Sequence, residues 1–406
     1  MLDVNRIRAD FPMFKNNPEL IYFDNGATSF KPQSVIDAVT HYYTSETSNI
    51  HRGEYPLSAK VDSEYDRTRQ TVARLIGCEA REVVFLAGAS AALNQTAYGL
   101  GKSFLKAGDT ILTTENEHAS NLLPWFRLQS ENQIKIEYLP VSKEGVCDAE
   151  TFKKAMHPGV KAVVIAQVTN VLGSVQPIKE IAAIAHENGA VVVVDGAQSV
   201  PHMPVNVKDL DCDFLCFSSH KMCGPSGVGV MYGKYELLQK MEPMLLGGGS
   251  NARFQSCGTV QLKDAPEKFE AGTPPIEAVI GLNAAAEYLM HIGMDEIHAY
   301  ELHLRKRLVS ELQKLNNIVV YNPDNASGIV TFNAKDVFAQ DSASFLASRG
   351  IAVRSGNHCA KILHEIIGTD QTVRASMYFY NTEEEVDKLA AACADISVEN
   401  AIGIFF

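Results

Sequence analysis

Short apolar runs recur through the first half of the chain, at 83–86, 111–112, 162–168, 191–194 and 214–217, and helix-like stretches separate most of them. That alternation predicts parallel strands covered on both faces. In such a sheet, ligands bind beyond the carboxyl ends of the strands. Each run here ends in residues able to bind or react: Gly88-Ala89-Ser90, Glu117-His118, Thr169-Asn170, Asp195 with Gln198, and Ser218-Ser219-His220-Lys221. One such end is ordinary, whereas five on one edge predict a shared site.

The first residues read as an arm leading to the strand-like stretch 20–28. Apolar or compatible side chains at 61, 65, 68, 72, 75 and 76 predict an amphipathic helix over 58–76, stopped by Gly77. From Gly281 the texture changes. A helical stretch running to Leu315 precedes strands at 329–332, 351–354 and 372–379, with helices at 342–348 and 383–394 interleaved. This second, smaller α/β unit carries Arg354, His358, Cys359 and Arg374.

A chain of 406 residues with 46% hydrophobic content can bury one large core and a smaller second one. Its net charge of −12 argues against nucleic acid as a partner, because phosphate binding needs clustered Lys and Arg. Eight cysteines, none in a CxxC pair, are too sparse for a disulfide scaffold. The amino terminus is charged from Asp3 onward, and no run approaches the ~18 apolar residues of a membrane span. The expectation is a soluble, cytoplasmic protein without a membrane partner, whose thiols stay free for chemistry.

Three signals mislead. Gly101-Lys102-Ser103 imitates the end of a phosphate loop, but Thr96 stands where that loop needs glycine. Cys212, Cys216, His220 and Cys223 imitate a metal cluster. On a strand, however, Cys212 and Cys216 lie ~13 Å apart, too far to share one ion, so they read as buried small side chains and no metal site is expected. The glycines between Gly224 and Gly229 have the wrong order for a dinucleotide fingerprint and shape a turn before a hydrophobic strand.

The segment Ser218-Ser-His-Lys-Met-Cys-Gly-Pro225 is the most specific. A lysine at a strand end can form a Schiff base with an aldehyde cofactor, and the neighbouring hydroxyl and imidazole can hold a phosphate. Alone it would be a solvated surface lysine. Asp195 and Gln198 at another strand end change that reading, because a carboxylate opposite a pyridine nitrogen keeps it protonated and makes the ring an electron sink.

At these residues the chain resembles the class V aminotransferase-like family, and within it the Suf-type (group II) cysteine desulfurases and the related selenocysteine lyases. The likeness runs from Tyr22-Phe-Asp-Asn-Gly-Ala-Thr28 to Arg374-Ala-Ser-Met-Tyr-Phe-Tyr-Asn-Thr382. Between them lie Asn49-Ile-His-Arg-Gly53, Glu117-His118, Asn121-Leu-Leu-Pro-Trp125, Asn170-Val-Leu-Gly173, Val194-Asp-Gly-Ala-Gln198, Phe269-Glu-Ala-Gly-Thr-Pro274 and Ile351-Ala-Val-Arg-Ser-Gly-Asn-His-Cys-Ala360.

The resemblance implies a fold type I pyridoxal 5′-phosphate enzyme. Its large domain, 21–280, would be built on a mostly parallel seven-stranded sheet, with a smaller C-terminal α/β domain, 281–406, carrying the catalytic cysteine. An arm, 1–20, would pack on the small domain. It further implies that Lys221 carries the cofactor, Asp195 pairs with the pyridine nitrogen, Gln198 faces the ring hydroxyl and His118 stacks on the ring. Ala89, Ser90, Ser218 and His220 would surround the phosphate. Thr273 would reach the phosphate of a neighbouring subunit, hence a homodimer. Asn170 and Arg374 would hold the carboxylate of L-cysteine, with Arg354, His51 and Ala27 also at the substrate. Cys359 would take the sulfur as a persulfide and pass it to an acceptor protein, feeding iron–sulfur cluster assembly. The chain departs from the family where Ala89-Ser90-Ala91 replaces Thr-Thr-Glu, which removes one phosphate hydroxyl. Ser219 replaces a common Gly, Pro275 replaces a common Asn, and Tyr55 and Asn357 stand where relatives often carry His.

Overall fold

The computed structural model describes residues 2–51 and 53–403. Arg52 of the 49–53 match lies outside the described residues, as do Met1 and the last three residues of the expected 281–406 unit.

The larger sheet has seven strands: β1 (Val83–Leu86), β2 (Thr110–Thr114), β3 (Lys135–Leu139), β4 (Val160–Ala166), β5 (Val191–Asp195), β6 (Phe214–Ser218) and β7 (Gly229–Gly233). Their order is β1-β7-β6-β5-β4-β2-β3. β2 through β6 pair in parallel, and only β7 runs against its neighbours β1 and β6. This is the mostly parallel sheet expected.

The strands read as continuous apolar runs because both faces are buried. Alternate residues of β4 enter different cores: Val163 and Ile165 pack on one face, Ala162 and Val164 on the other. Cys212 belongs to the first core and Cys216 to the second, as small buried side chains do. Helix α1 (Pro56–Ile76) covers the first face with Val61, Tyr65, Val72 and Ile76 and stops where Gly77 adopts a left-handed φ of 75°. Helices α2 (Ala89–Ser103) and α3 (Ala119–Asn132) cover the other face through Leu93, Ala97, Leu100, Trp125 and Leu128.

β3 was not among the expected runs. It is an edge strand whose Lys135, Glu137 and Tyr138 are exposed, so its apolar content is low. The stretch expected to be helical to Leu315 is two helices, α4 (Ile276–Ile292) and α5 (Met294–Leu312), broken at Gly293 with φ 97°.

A second, antiparallel sheet has the order β8 (Ile318–Val320), β9 (Ile329–Ala334), β11 (Thr372–Ser376), β10 (Arg354–Gly356). The run 351–354 splits: Ile351–Ala352 pairs in parallel with Ile21–Tyr22, while Arg354 pairs with Arg374. The N-terminal residues pack on the C-terminal ones. Arg8 donates to the Tyr380 carbonyl at 2.8 Å and pairs with Glu385 at 2.9 Å, and the Phe11 ring meets Tyr380 edge-on. Among the described residues no helix is long and apolar enough to cross a membrane.

Candidate active site

The carboxyl ends of the parallel strands open into one cavity of about 300 Å³. β5 ends on Asp195, and β6 leads into His220 and Lys221. β1 leads through Gly88 into α2, and β2 into His118 at the start of α3. β10 and β11 close the cavity from the second sheet with Arg354 and Arg374. Thirteen of the expected site residues line it: Ala27, Ala89, Ser90, His118, Asn170, Asp195, Gln198, Ser218, His220, Lys221, Arg354, Cys359 and Arg374. His51 and Thr273 do not. Within one chain they share a second cavity of about 130 Å³ with Asn49, whose amide donates to Thr273 Oγ1 at 3.4 Å.

Electrostatics in the first cavity follow from burial. Burial pushes the Lys221 ammonium down to about 8, with the Asp195 carboxylate opposing that shift. Burial likewise raises Asp195, against the Ala197 N–H bonded to it at 2.9 Å and the charge of Lys221. His118 caps α3: the Ser120 N–H donates to its Nδ1 at 3.1 Å. Nδ1 therefore carries no proton, and the ring proton sits on Nε2. Burial, with Lys221 and Arg374 nearby, pushes this imidazole down to about 4, so it is neutral at pH 7. His220 is lowered to about 4 by burial and by Lys221 and Lys31.

Glu117, one residue earlier, is a buried acid. It accepts from Thr114 Oγ1, Asn121 Nδ2 and the Ala166 N–H at 2.8–2.9 Å, and burial raises it to about 7. It ties the ends of β2 and β4 to the opening of α3, fixing where His118 stands.

Cys359 is exposed to the cavity on a loop held from three sides. Its carbonyl accepts from the Ala119 N–H at 2.7 Å, the His358 carbonyl accepts from Asn170 Nδ2 at 2.7 Å, and His358 Nε2 reaches the Thr372 carbonyl at 3.1 Å. His358 and Cys359 both adopt positive φ, 50° and 58°. That is an uncommon backbone for side-chain-bearing residues, persisting where the surroundings over-determine it. Asn357, in place of a common His, donates to the Asp370 carbonyl at 2.6 Å and adds a further anchor.

Two participants were not picked out from the sequence. Asp24 holds both arginines, accepting from Arg354 Nε at 3.1 Å and from Arg374 at 3.3 Å. Its signal was a carboxylate inside the 22–28 match. Ser120 lies in the cavity wall, and a hydroxyl two residues after His118 was visible. His358, expected on the same unit as Arg354, Cys359 and Arg374, lines the cavity with them.

The chain belongs to the class V aminotransferase family, whose model matches residues 21–389. Within that family it is similar to proteins named for one activity. It is 42% identical to a probable cysteine desulfurase of Halalkalibacterium halodurans over 96% of this chain and 97% of the relative, and 39% identical to a cysteine desulfurase of Pectobacterium atrosepticum over 96% of each. Among solved structures it resembles the apo cysteine desulfurase of Thermococcus onnurineus (TM-score 0.93, 40% identity, 97% of this chain and 98% of that one). It also resembles the cysteine desulfurase CsdA of Escherichia coli in an S-sulfonic acid form (TM-score 0.91, 32% identity, 100% and 99%).

The family depends on pyridoxal 5′-phosphate, and this cavity fits such a group. Four buried polar atoms without a partner belong to its wall: Gln198 Oε1, Asn170 Oδ1, Arg374 Nε and His358 Nδ1. Buried atoms of this kind ordinarily have partners, and the hydroxyls of Ser90, Ser120 and Ser218 in the same wall are donors that a phosphate could use. Asp195 supplies the carboxylate that a protonated pyridine nitrogen would meet, and Lys221 the amine that an aldehyde carbon would meet.

Proposed function

We propose that this chain is a cysteine desulfurase of the Suf type, converting L-cysteine to L-alanine and passing the sulfur from Cys359 to an acceptor protein, in the cytoplasm and for iron–sulfur cluster assembly. The observation that carries this reading is that Cys359 and Lys221 line one cavity. A transaminase has no use for the thiol; sulfur abstraction needs it.

Lys221 would hold pyridoxal phosphate covalently through Nζ, with Asp195 at the ring nitrogen, Gln198 at the ring hydroxyl, His118 over the ring, and Ser90, Ser218 and His220 at the phosphate. When bound, the group supplies an electron sink next to the substrate Cα. Arg374, with Asn170 beside it, takes the substrate carboxylate. Guanidinium suits that task because its planar fork can give parallel hydrogen bonds. Once the substrate amine has taken its place, Lys221, lowered to about 8, would be partly neutral at physiological pH and could take the Cα proton. Neutral His118 offers Nε2–H towards the cavity. The Cys359 thiolate attacks the substrate sulfur. An S–S bond forms, the Cβ–S bond breaks, the carbon fragment keeps the electron pair and, once protonated, leaves as alanine.

His51 and Thr273 enter this scheme through a second copy of the chain, whose first cavity they would complete. A homodimer with two composite sites is therefore expected. An active species that light scattering finds to be monomeric at assay concentration would contradict it. The reaction itself is tested by supplying cysteine without any keto acid. Alanine should accumulate over many turnovers. If alanine forms only when a keto acid is added, the protein is an aminotransferase.

A further inference from the structure

α2 and α3 both open on the first cavity, and each is long enough, at 15 and 14 residues, to present a full positive end there. Their first turns meet. Ser90 Oγ, the second residue of α2, lies 2.6 Å from Ser120 Oγ, the second residue of α3. Both residues belong to the cavity wall, as does Ser218.

The hydrogen bonds around these hydroxyls leave protons to give. The backbone N–H of Ala89 donates to Ser218 Oγ at 2.7 Å, so the Ser218 hydroxyl keeps its own proton for another acceptor. Ser90 and Ser120 are bonded to each other, and one O–H satisfies that contact. The other hydroxyl keeps its proton for an anion beside the pair. N–H groups in the first turn of α2 have no carbonyl within the helix to accept them, and a helix opening favours negative charge. Ala89, by contrast, contributes only a methyl group.

We propose that Ser120 is a phosphate-binding residue of this cavity, whose hydroxyl, paired with that of Ser90, supplies the donor that Ala89 lacks. The proposal rests on the reading of the cavity as a pyridoxal phosphate site. It assigns the anion-binding role to α3 as well as α2. Ser120 acts through its side chain alone, because its backbone N–H is already donated to His118 Nδ1. Ser120→Ala therefore removes the hydroxyl and leaves the cap of α3 in place.

The test compares pyridoxal phosphate with pyridoxal, which has the same ring and aldehyde but no phosphate. Apoprotein of the wild type and of Ser120→Ala is titrated with each, and dissociation constants are read from the change in absorbance. A hydrogen bond to a charged group predicts roughly tenfold or more weaker binding of pyridoxal phosphate by the variant, with its affinity for pyridoxal unchanged. Unchanged affinity for pyridoxal phosphate would overturn the proposal. So would an equal loss for both compounds, which would mean that Ser120 merely shapes the wall. A wild type that binds pyridoxal phosphate no more tightly than pyridoxal would remove the phosphate site itself, so that failure of the underlying reading is told apart from failure at Ser120.

Discussion

Cys359→Ser is expected to bind pyridoxal phosphate and cysteine as the wild type does and to lose sulfur transfer, by roughly three orders of magnitude or more. Neither binding step uses the thiol. Lys221, Asp195 and Arg374 lie on other elements and keep their surroundings, and the loop carrying residue 359 is held by backbone groups and neighbouring side chains. The Cys359 carbonyl still accepts from Ala119, and Asn170 still holds the His358 carbonyl. Serine changes one atom and leaves these bonds standing. What it removes is nucleophilicity toward sulfur, since a hydroxyl is protonated and hard at neutral pH where a thiol is partly thiolate. Selenocysteine should be partly spared, because a carbon–selenium bond breaks more readily. The measurement is sulfide and persulfide release from cysteine, with cofactor absorbance as the control for binding. Release at the wild-type rate would make Cys359 structural and remove the proposed sulfur step.

Lys221→Ala should abolish covalent attachment of the cofactor and reduce turnover by a comparable factor. Borohydride reduction followed by peptide mass analysis reads this directly. The wild type should carry the cofactor on the peptide containing Lys221, and the variant should carry none. The cofactor on any other wild-type peptide would refute the assignment. The pH dependence follows from the same residue. Only the neutral amine can attach to an aldehyde, and burial lowers Lys221 to about 8. The rate of attachment to wild-type apoprotein should thus climb between about pH 7 and 9 and level off above. A rate still climbing in the range of an ordinary lysine would show that the buried site does not depress it.

Much of this architecture is legible in the chain because strands buried on both faces leave apolar runs, and their ends carry the polar residues. Asp195, Lys221 and His118 are of that kind. The helix at Pro56–Ile76 is legible for a similar reason: its buried side chains recur at helical spacing and Gly77 ends it. What stays hidden depends on partners distant in sequence. β3 is an edge strand with exposed charges. The break between α4 and α5 rests on the single residue Gly293. The run 351–354 divides because its two halves pair with Ile21–Tyr22 and with β11, neither of which local pattern can name. Within the site the same distinction holds. Asp24 acquires its role only when β11 brings Arg374 beside it, and Ser120 only when α2 and α3 open on one wall.

The most direct measurement is the mass of the Cys359 peptide after the cofactor-loaded protein has been mixed with cysteine and quenched with an alkylating reagent before reduction. A peptide one sulfur atom heavier, appearing together with an equivalent of alanine, is the expected result. Alanine formed with Cys359 unmodified, or the extra sulfur on another cysteine, would contradict the claim that Cys359 takes the sulfur in this cavity.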